Sequence, residues 1–197
     1  MIIQHWMTKI TNQPFQNKHI RRILDRYIRH HNEANFPNPA VLVDPFARDS
    51  FTTQVPYALT NDLNSEMPTQ YHAEANEWCE WLLQDRLGPN SVDLIFFDPP
   101  YSLRLLKDHY DHEDIPLERW QTWNMFGRAK DACAKLLKVN GHFISFGYTT
   151  RGLGRRRGFD KEQIHIFQSN KTPDSYDVLM TIERKVQHNL LSWSEEE

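Results

Sequence analysis

Six strand-forming residues, Val92-Asp93-Leu94-Ile95-Phe96-Phe97, run without a break into Asp98-Pro99-Pro100-Tyr101. Apolar β-branched and aromatic side chains favour a buried strand over 92–97. The four residues after it are more tightly constrained. Asp98 and Pro99 each precede a proline and are driven toward extended conformations, and neither proline has an N–H to continue a ladder. The strand must therefore end in a rigid, non-helical lip carrying a carboxylate, the Pro99 carbonyl and the flat ring of Tyr101. Such a lip can be a stiff turn that closes a buried strand. It also suits a planar exocyclic amine, whose lone pair is delocalised into its ring until two fixed acceptors draw its hydrogens toward a tetrahedral arrangement.

Around this strand the pattern predicts six more, at 40–43, 57–60, 70–73, 142–146, 163–167 and 177–183. Ile20, Ile23, Leu24, Tyr27 and Ile28 recur at helical spacing and form one apolar stripe. Segments 76–85 and 117–138 also read as helices, the second stopped by Asn140-Gly141. Strands alternating with helices predict an α/β chain with a mostly parallel sheet. The links between the first three strands are short and Pro68 interrupts one, so full crossover helices are not expected there. With 197 residues and no repeat, the chain reads as a single domain over 1–197, with an N-terminal helical segment at 1–39 and a frayed acidic tail at 192–197.

Hydrophobic residues at 39% and charged residues at 25% make the composition globular. No apolar run approaches the roughly 20 residues of a membrane span, and the N-terminus has no signal-peptide pattern. A cytoplasmic protein with no membrane partner is expected. Cys79 and Cys133 are too few for a disulfide framework or metal cluster. A net charge of −3 does not exclude nucleic acid, because setting aside Glu195, Glu196 and Glu197 leaves the chain neutral with local basic clusters.

At Asp98-Pro99-Pro100-Tyr101 the sequence resembles the amino DNA methyltransferases, which use S-adenosylmethionine. The resemblance implies that Asp98 and the Pro99 carbonyl hold the target amine, with Pro100 stiffening the lip and Tyr101 stacking on a flipped base. Asp at the first position points to adenine N6; cytosine N4 enzymes more often carry Ser. The segment Val41 to Ser50 is similar to the family's cofactor motif, DPFxGxG. Asp44, Pro45 and Phe46 match it, while Arg48 and Ser50 stand in place of glycines. Asp62, within Thr60-Asn61-Asp62-Leu63-Asn64, is the ribose candidate, near the spacing of about 20 residues found in doubly wound nucleotide sites. Glu74-Ala75 resembles the acidic position that reads the cofactor's adenine; for Asp62 and Glu74 alike, helix capping or a solvated turn is the alternative.

The order of these motifs through Ser145-Phe146-Gly147-Tyr148 resembles compact, phage-encoded methylases, which would place the protein in a host cytoplasm. That family implies a Rossmann-like class I methyltransferase fold with a seven-stranded sheet of order 3-2-1-4-5-7-6, the last strand antiparallel. The implied partners are S-adenosylmethionine and DNA, with the protein a monomer or weak dimer. Open alternatives are cytosine N4, RNA or protein side chains as substrate, and a catalytically weak methylase-like protein used for regulation or anti-restriction. The run 152–158, with Arg155, Arg156 and Arg157 between glycines, is a candidate contact to the DNA backbone and does not have dinucleotide-fingerprint spacing. Segment 102–123 leaves room for target recognition through Arg104, Lys107, Tyr110, Trp120 and Trp123. His109 and His112 lack partner ligands, and no metal is expected.

Overall fold

The computed structural model describes residues 1–8, 13–117, 124–169 and 177–186. Seven strands form one sheet: β1 (Ile2–Met7), β2 (Leu42–Asp44), β3 (Ala58–Thr60), β4 (Val92–Phe97), β5 (Leu137–Gly147), β6 (Phe159–Gln168) and β7 (Val178–Lys185). Their spatial order is β1-β6-β7-β5-β4-β2-β3, with only β7 antiparallel to its neighbours. From β3 to β6 this is the expected arrangement. β2 and β4 pair side by side while their successors lie in opposite directions, so the C-terminal ends of these two strands flank the topological switch point of the sheet.

Helices cover both faces. Helix α1 (Lys18–Asn35) starts where the Asn17 side chain accepts hydrogen bonds from the backbone N–H groups of His19 and Ile20 at 2.9 and 3.3 Å. Its stripe of Ile20, Ile23, Leu24 and Tyr27 is buried in one core with Leu94 and Phe96 of β4. On the other face α2 (Ala75–Trp81) and α4 (Gly127–Leu136) enclose a second core with Val43, Ile95, Phe97 and Phe143. Between them in sequence, α3 (Leu103–His112) begins at Ser102, whose hydroxyl accepts from Leu105 N.

Three expectations are corrected. Residues 1–39 are not helical throughout, because Ile2–Met7 is an edge strand whose side chains are almost all exposed. It is held by pairing to β6, and no one-sided apolar alternation marks it. The strand expected at 70–73 is a single parallel bridge, Asn61 to Tyr71. There the Asn61 amide donates to Ala73 O at 2.9 Å and accepts from Ala73 N at 3.0 Å, replacing ladder bonds. Of the helix expected over 117–138, residues 118–123 lie outside the described residues; the described helix runs over Gly127–Leu136, and the chain then enters β5 at once. Asn140-Gly141 is then a bulge inside β5, with Asn140 at φ 68° and Gly141 so close to the Lys138 and Asp93 carbonyls that a Cβ would lie 2.8 and 3.1 Å from them. Within the segment 102–123 considered for target recognition, 103–112 is helical; Trp120, Trp123 and the acidic tail lie outside the described residues. No described helix is long and apolar enough to cross a membrane.

Lys185 ends β7 with its side chain only 2% exposed. Its Nζ donates to Leu137 O at 2.6 Å, Ala134 O at 2.8 Å and Asn90 Oδ1 at 3.2 Å, satisfying carbonyls at the end of α4.

Candidate active site

A cleft of about 890 Å³ opens at the C-terminal ends of β2, β3 and β4. The lip expected after β4 forms one wall: Asp98, Pro99 and Pro100 leave the strand without helical structure and line the cleft with Tyr101. The Tyr101 hydroxyl donates to Asp98 Oδ1 at 2.5 Å. Burial raises Asp98 to about 6, opposed by that hydrogen bond and by the charge of Arg48. Tyr101 is driven well above its usual range, first by burial and then by the Asp98 charge, so it remains a donor. The Tyr148 ring, from Ser145-Phe146-Gly147-Tyr148, meets Tyr101 edge to face at 5.1 Å.

The turn after β2 supplies the floor. Pro45 and Phe46 line the cleft, with Phe46 edge-on to Phe97 and Phe126 at 5.0 and 4.8 Å. Asp44 does not line it. Its fully buried carboxylate lies beneath the turn, accepting from Thr52 Oγ1 at 2.8 Å and Phe46 N at 3.2 Å, and burial raises it to about 7. The buried Asp44 carboxylate thus braces the turn that carries Pro45 and Phe46. Where the resembled motif has its first glycine, Arg48 adopts a left-handed φ of 50°, a conformation that favours glycine. Ser50 is extended at φ −72° and caps the next turn through Thr52 N, so its position needs no glycine.

Asp62 and Glu74 line the far side. Asp62 accepts from Asn64 N at 3.0 Å and Arg48 N at 3.2 Å, and burial raises its pKa. Glu74 is a helix cap, accepting from Asn76 N and Glu77 N at the start of α2. It also accepts the Tyr110 hydroxyl of α3 at 2.8 Å, which ties the α3 wall to the site, and Ala75 lines the cleft beside it. The capping alternative is therefore realised at Glu74 without removing its carboxylate from the cleft wall. Arg104 joins the wall, whereas Lys107 is exposed outside it. His109 and His112 also line the cleft, and among the described residues no group of three or more His, Cys, Asp or Glu is arranged to hold a metal.

Arg155, Arg156 and Arg157 are not brought to this site. Gly147 at the cleft edge pairs with Leu179, while Phe159 pairs with Lys185, six residues farther along β7 and about 20 Å away at strand rise. The three arginines precede Phe159 near that opposite edge. Arg157 is committed to Asp131 at 2.7 Å and Leu153 O at 3.3 Å, and Arg155 lies 3.5 Å from Asp160. Gly152 there has a structural purpose: Glu183 accepts from Leu153 N and Gly154 N, and a Cβ on Gly152 would collide with its carboxylate.

Sequence reasoning missed the wall residues Asn61 and Phe126. Asn61 sits within the Thr60 to Asn64 motif but is selected by a partner twelve residues away, and Phe126 carried only the signal of an aromatic residue before a helix.

No protein-family model and no curated protein matches the chain. Solved structures do. TrmN from Thermus thermophilus superimposes with a TM-score of 0.51 at 16% identity over 85% of this chain, which spans 48% of TrmN. The candidate methylase HI0767 from Haemophilus influenzae gives a TM-score of 0.53 at 12% identity, covering 87% of this chain and 90% of that one. The chain has the Rossmann-like fold of class I methyltransferases.

Proposed function

We propose that this protein transfers the methyl group of S-adenosylmethionine to the exocyclic N6 amine of adenine in DNA. The carrying observation is the Asp98 to Tyr101 lip lining a cleft at the switch point, with Asp62 and Glu74 on the wall across from it. The cleft fits the cofactor chemically: carboxylates for hydroxyl and amino donors, an aromatic floor at Phe46, and about 890 Å³ of space. Asp62 would hold the ribose and Glu74 the adenine edge. When bound, the cofactor supplies an electrophilic methyl on a cationic sulfur.

The chain's own residues prepare the nucleophile. Asp98 Oδ2 and the Pro99 carbonyl accept the two amine hydrogens, which localises the nitrogen lone pair; Asp98, near 6, is ionised at neutral pH. Tyr101 and Tyr148 offer ring faces to a base. The Tyr101 hydroxyl already on Asp98 Oδ1 favours a second reading, a methylase-like protein that binds without transferring.

The deciding experiment incubates the protein with isotopically methyl-labelled cofactor and, in parallel reactions, unmodified DNA or RNA, then identifies labelled nucleosides by mass. Label on N6-methyl-2′-deoxyadenosine supports the proposal. Label on cytosine N4 or in RNA redirects it, and cofactor binding with no labelled product supports the second reading. Asp62→Ala is expected to weaken binding of S-adenosylhomocysteine by about 1–3 kcal/mol through loss of a half-buried acceptor, read by calorimetry.

Because the arginine run 155–157 lies away from the cleft, the phosphate contacts proposed for docking a duplex over it are Arg104 and Lys107, exposed on α3. Replacing both by Ala is expected to lower the salt dependence of DNA binding by up to about two units, roughly 0.9 per phosphate. Replacing Arg155 and Arg156 should leave it unchanged. Titrations of DNA affinity against salt check both.

A further inference from the structure

The outer face of α1 carries a row of cations that the cleft does not use. Lys18, Arg22, Arg26 and Arg29 follow one another at spacings of four, four and three residues, which places them on one stripe opposite the buried Ile20, Ile23, Leu24 and Tyr27, and all four are exposed. Among the described residues, Arg21 is the one cation of α1 held in an ion pair, 2.8 Å from Asp25. The helix has five Lys and Arg against two acids, Asp25 and Glu33, in a chain whose total charge is −3. The stripe also has a direction. Pro14, just before α1, lines the cleft, and Phe15 meets Phe96 and Phe146, near the C-terminal ends of β4 and β5, at 6.0 and 5.1 Å. At the far end of the helix Asn35 donates to Asp93 Oδ1, at the start of β4, at 3.1 Å. Helix α1 therefore descends from the cleft rim along the sheet, and its four cations cover about 16 Å of flank at 1.5 Å per residue.

We propose that this stripe binds the phosphate backbone of a single strand that flanks the target nucleotide and turns over the cleft rim. This rests on the nucleic-acid reading above and adds where the substrate goes beyond the cleft. Cations set in a row at nearly even intervals suit a polymer of phosphates, whereas a compact anion needs them converging on one point. Arg further suits phosphate because its planar fork donates in pairs. A duplex docked over the strand ends by Arg104 and Lys107 cannot also follow α1, since the helix runs along the strands, roughly at right angles to that surface, and DNA is too stiff to turn over so short a distance without a large cost. A single strand turns freely. An anionic membrane suits the stripe less well, because the apolar face of α1 is buried in the core and the helix has no large exposed apolar side chain to insert.

The test measures affinity for two probes, a blunt DNA duplex and the same duplex extended by a single-stranded tail, using the full chain as wild type, K18Q/R22Q/R26Q/R29Q and the charge-keeping R22K/R26K/R29K. The tail is expected to tighten wild-type binding about tenfold or more at low salt, with the tailed probe's salt dependence steeper by up to about three units, roughly 0.7 per phosphate on a single strand. The Gln variant should lose that gain while its affinity for the blunt duplex stays within about twofold of wild type, and the Lys variant should keep it. No gain from the tail in wild type, or equal losses on both probes in the Gln variant, would overturn the assignment. So would a tail gain that survives in the Gln variant while binding to phosphatidylserine vesicles disappears, which would make the stripe a membrane contact. A tail gain without labelled methyl on either probe would overturn the transfer reading alone, and wild type that binds neither probe would overturn both.

Discussion

Asp98→Asn is expected to lose methyl transfer by about a hundred- to a thousandfold, the scale for deleting one preorganised electrostatic group, while melting at a higher temperature than wild type at pH 8. Both effects come from the same carboxylate. Asparagine keeps an oxygen for the Tyr101 hydroxyl but loses the charge proposed to polarise the amine. Burial raises Asp98 from 3.8 to about 6, so the folded state holds its proton more tightly than the unfolded state. The stability contributed by that proton is fully present below pH 3.8 and is lost as pH rises through 6. At pH 8 the ionised group costs of order 1–2 kcal/mol after allowance for its partial exposure, and the neutral amide removes that cost. Melting curves at pH 5 and pH 8 should show the gain mainly at pH 8. Wild-type transfer should rise with pH through about 6, and wild-type rates in the variant would remove Asp98 from the mechanism.

Lys185→Ala is expected to destabilise the protein by about 3–5 kcal/mol, combining a cavity with lost hydrogen bonds to buried acceptors. The truncation orphans the Ala134 and Leu137 carbonyls and Asn90 Oδ1 together, where α4 passes into β5. Lys185→Met refills the stem without the donors and should recover part of the loss. Urea denaturation of the three proteins measures this, and a loss below 1 kcal/mol for the Ala variant would mean that the amine does not hold that junction.

The lip after β4 was legible because its constraints are local: an apolar run makes the strand, and two prolines dictate the backbone beyond its end. The strand order from β3 to β6 came from motif order and likeness. The features that could not be read depend on partners distant in the chain. Asn61 replaces a strand with side-chain bonds to Ala73, and Glu183 explains Gly152. Arg157 looks like a phosphate ligand until Asp131 is beside it. Edge strand β1 escaped detection because a strand that buries almost nothing leaves no periodicity.

That edge strand also sets a schedule for synthesis. Among the described residues, Ile2–Met7 pairs only with Gln163 to Gln168, about 160 residues later in the chain. At elongation rates of about 5–20 residues per second, these first residues leave the ribosome on the order of ten seconds before their partner exists. Loop closure over that separation is slow even afterwards. For that interval an uncharged segment, Ile-Ile-Gln-His-Trp-Met, presents unpaired backbone groups to every nascent neighbour. Crowded polysomes, where many copies wait in the same state, are where this protein is most exposed to mispairing.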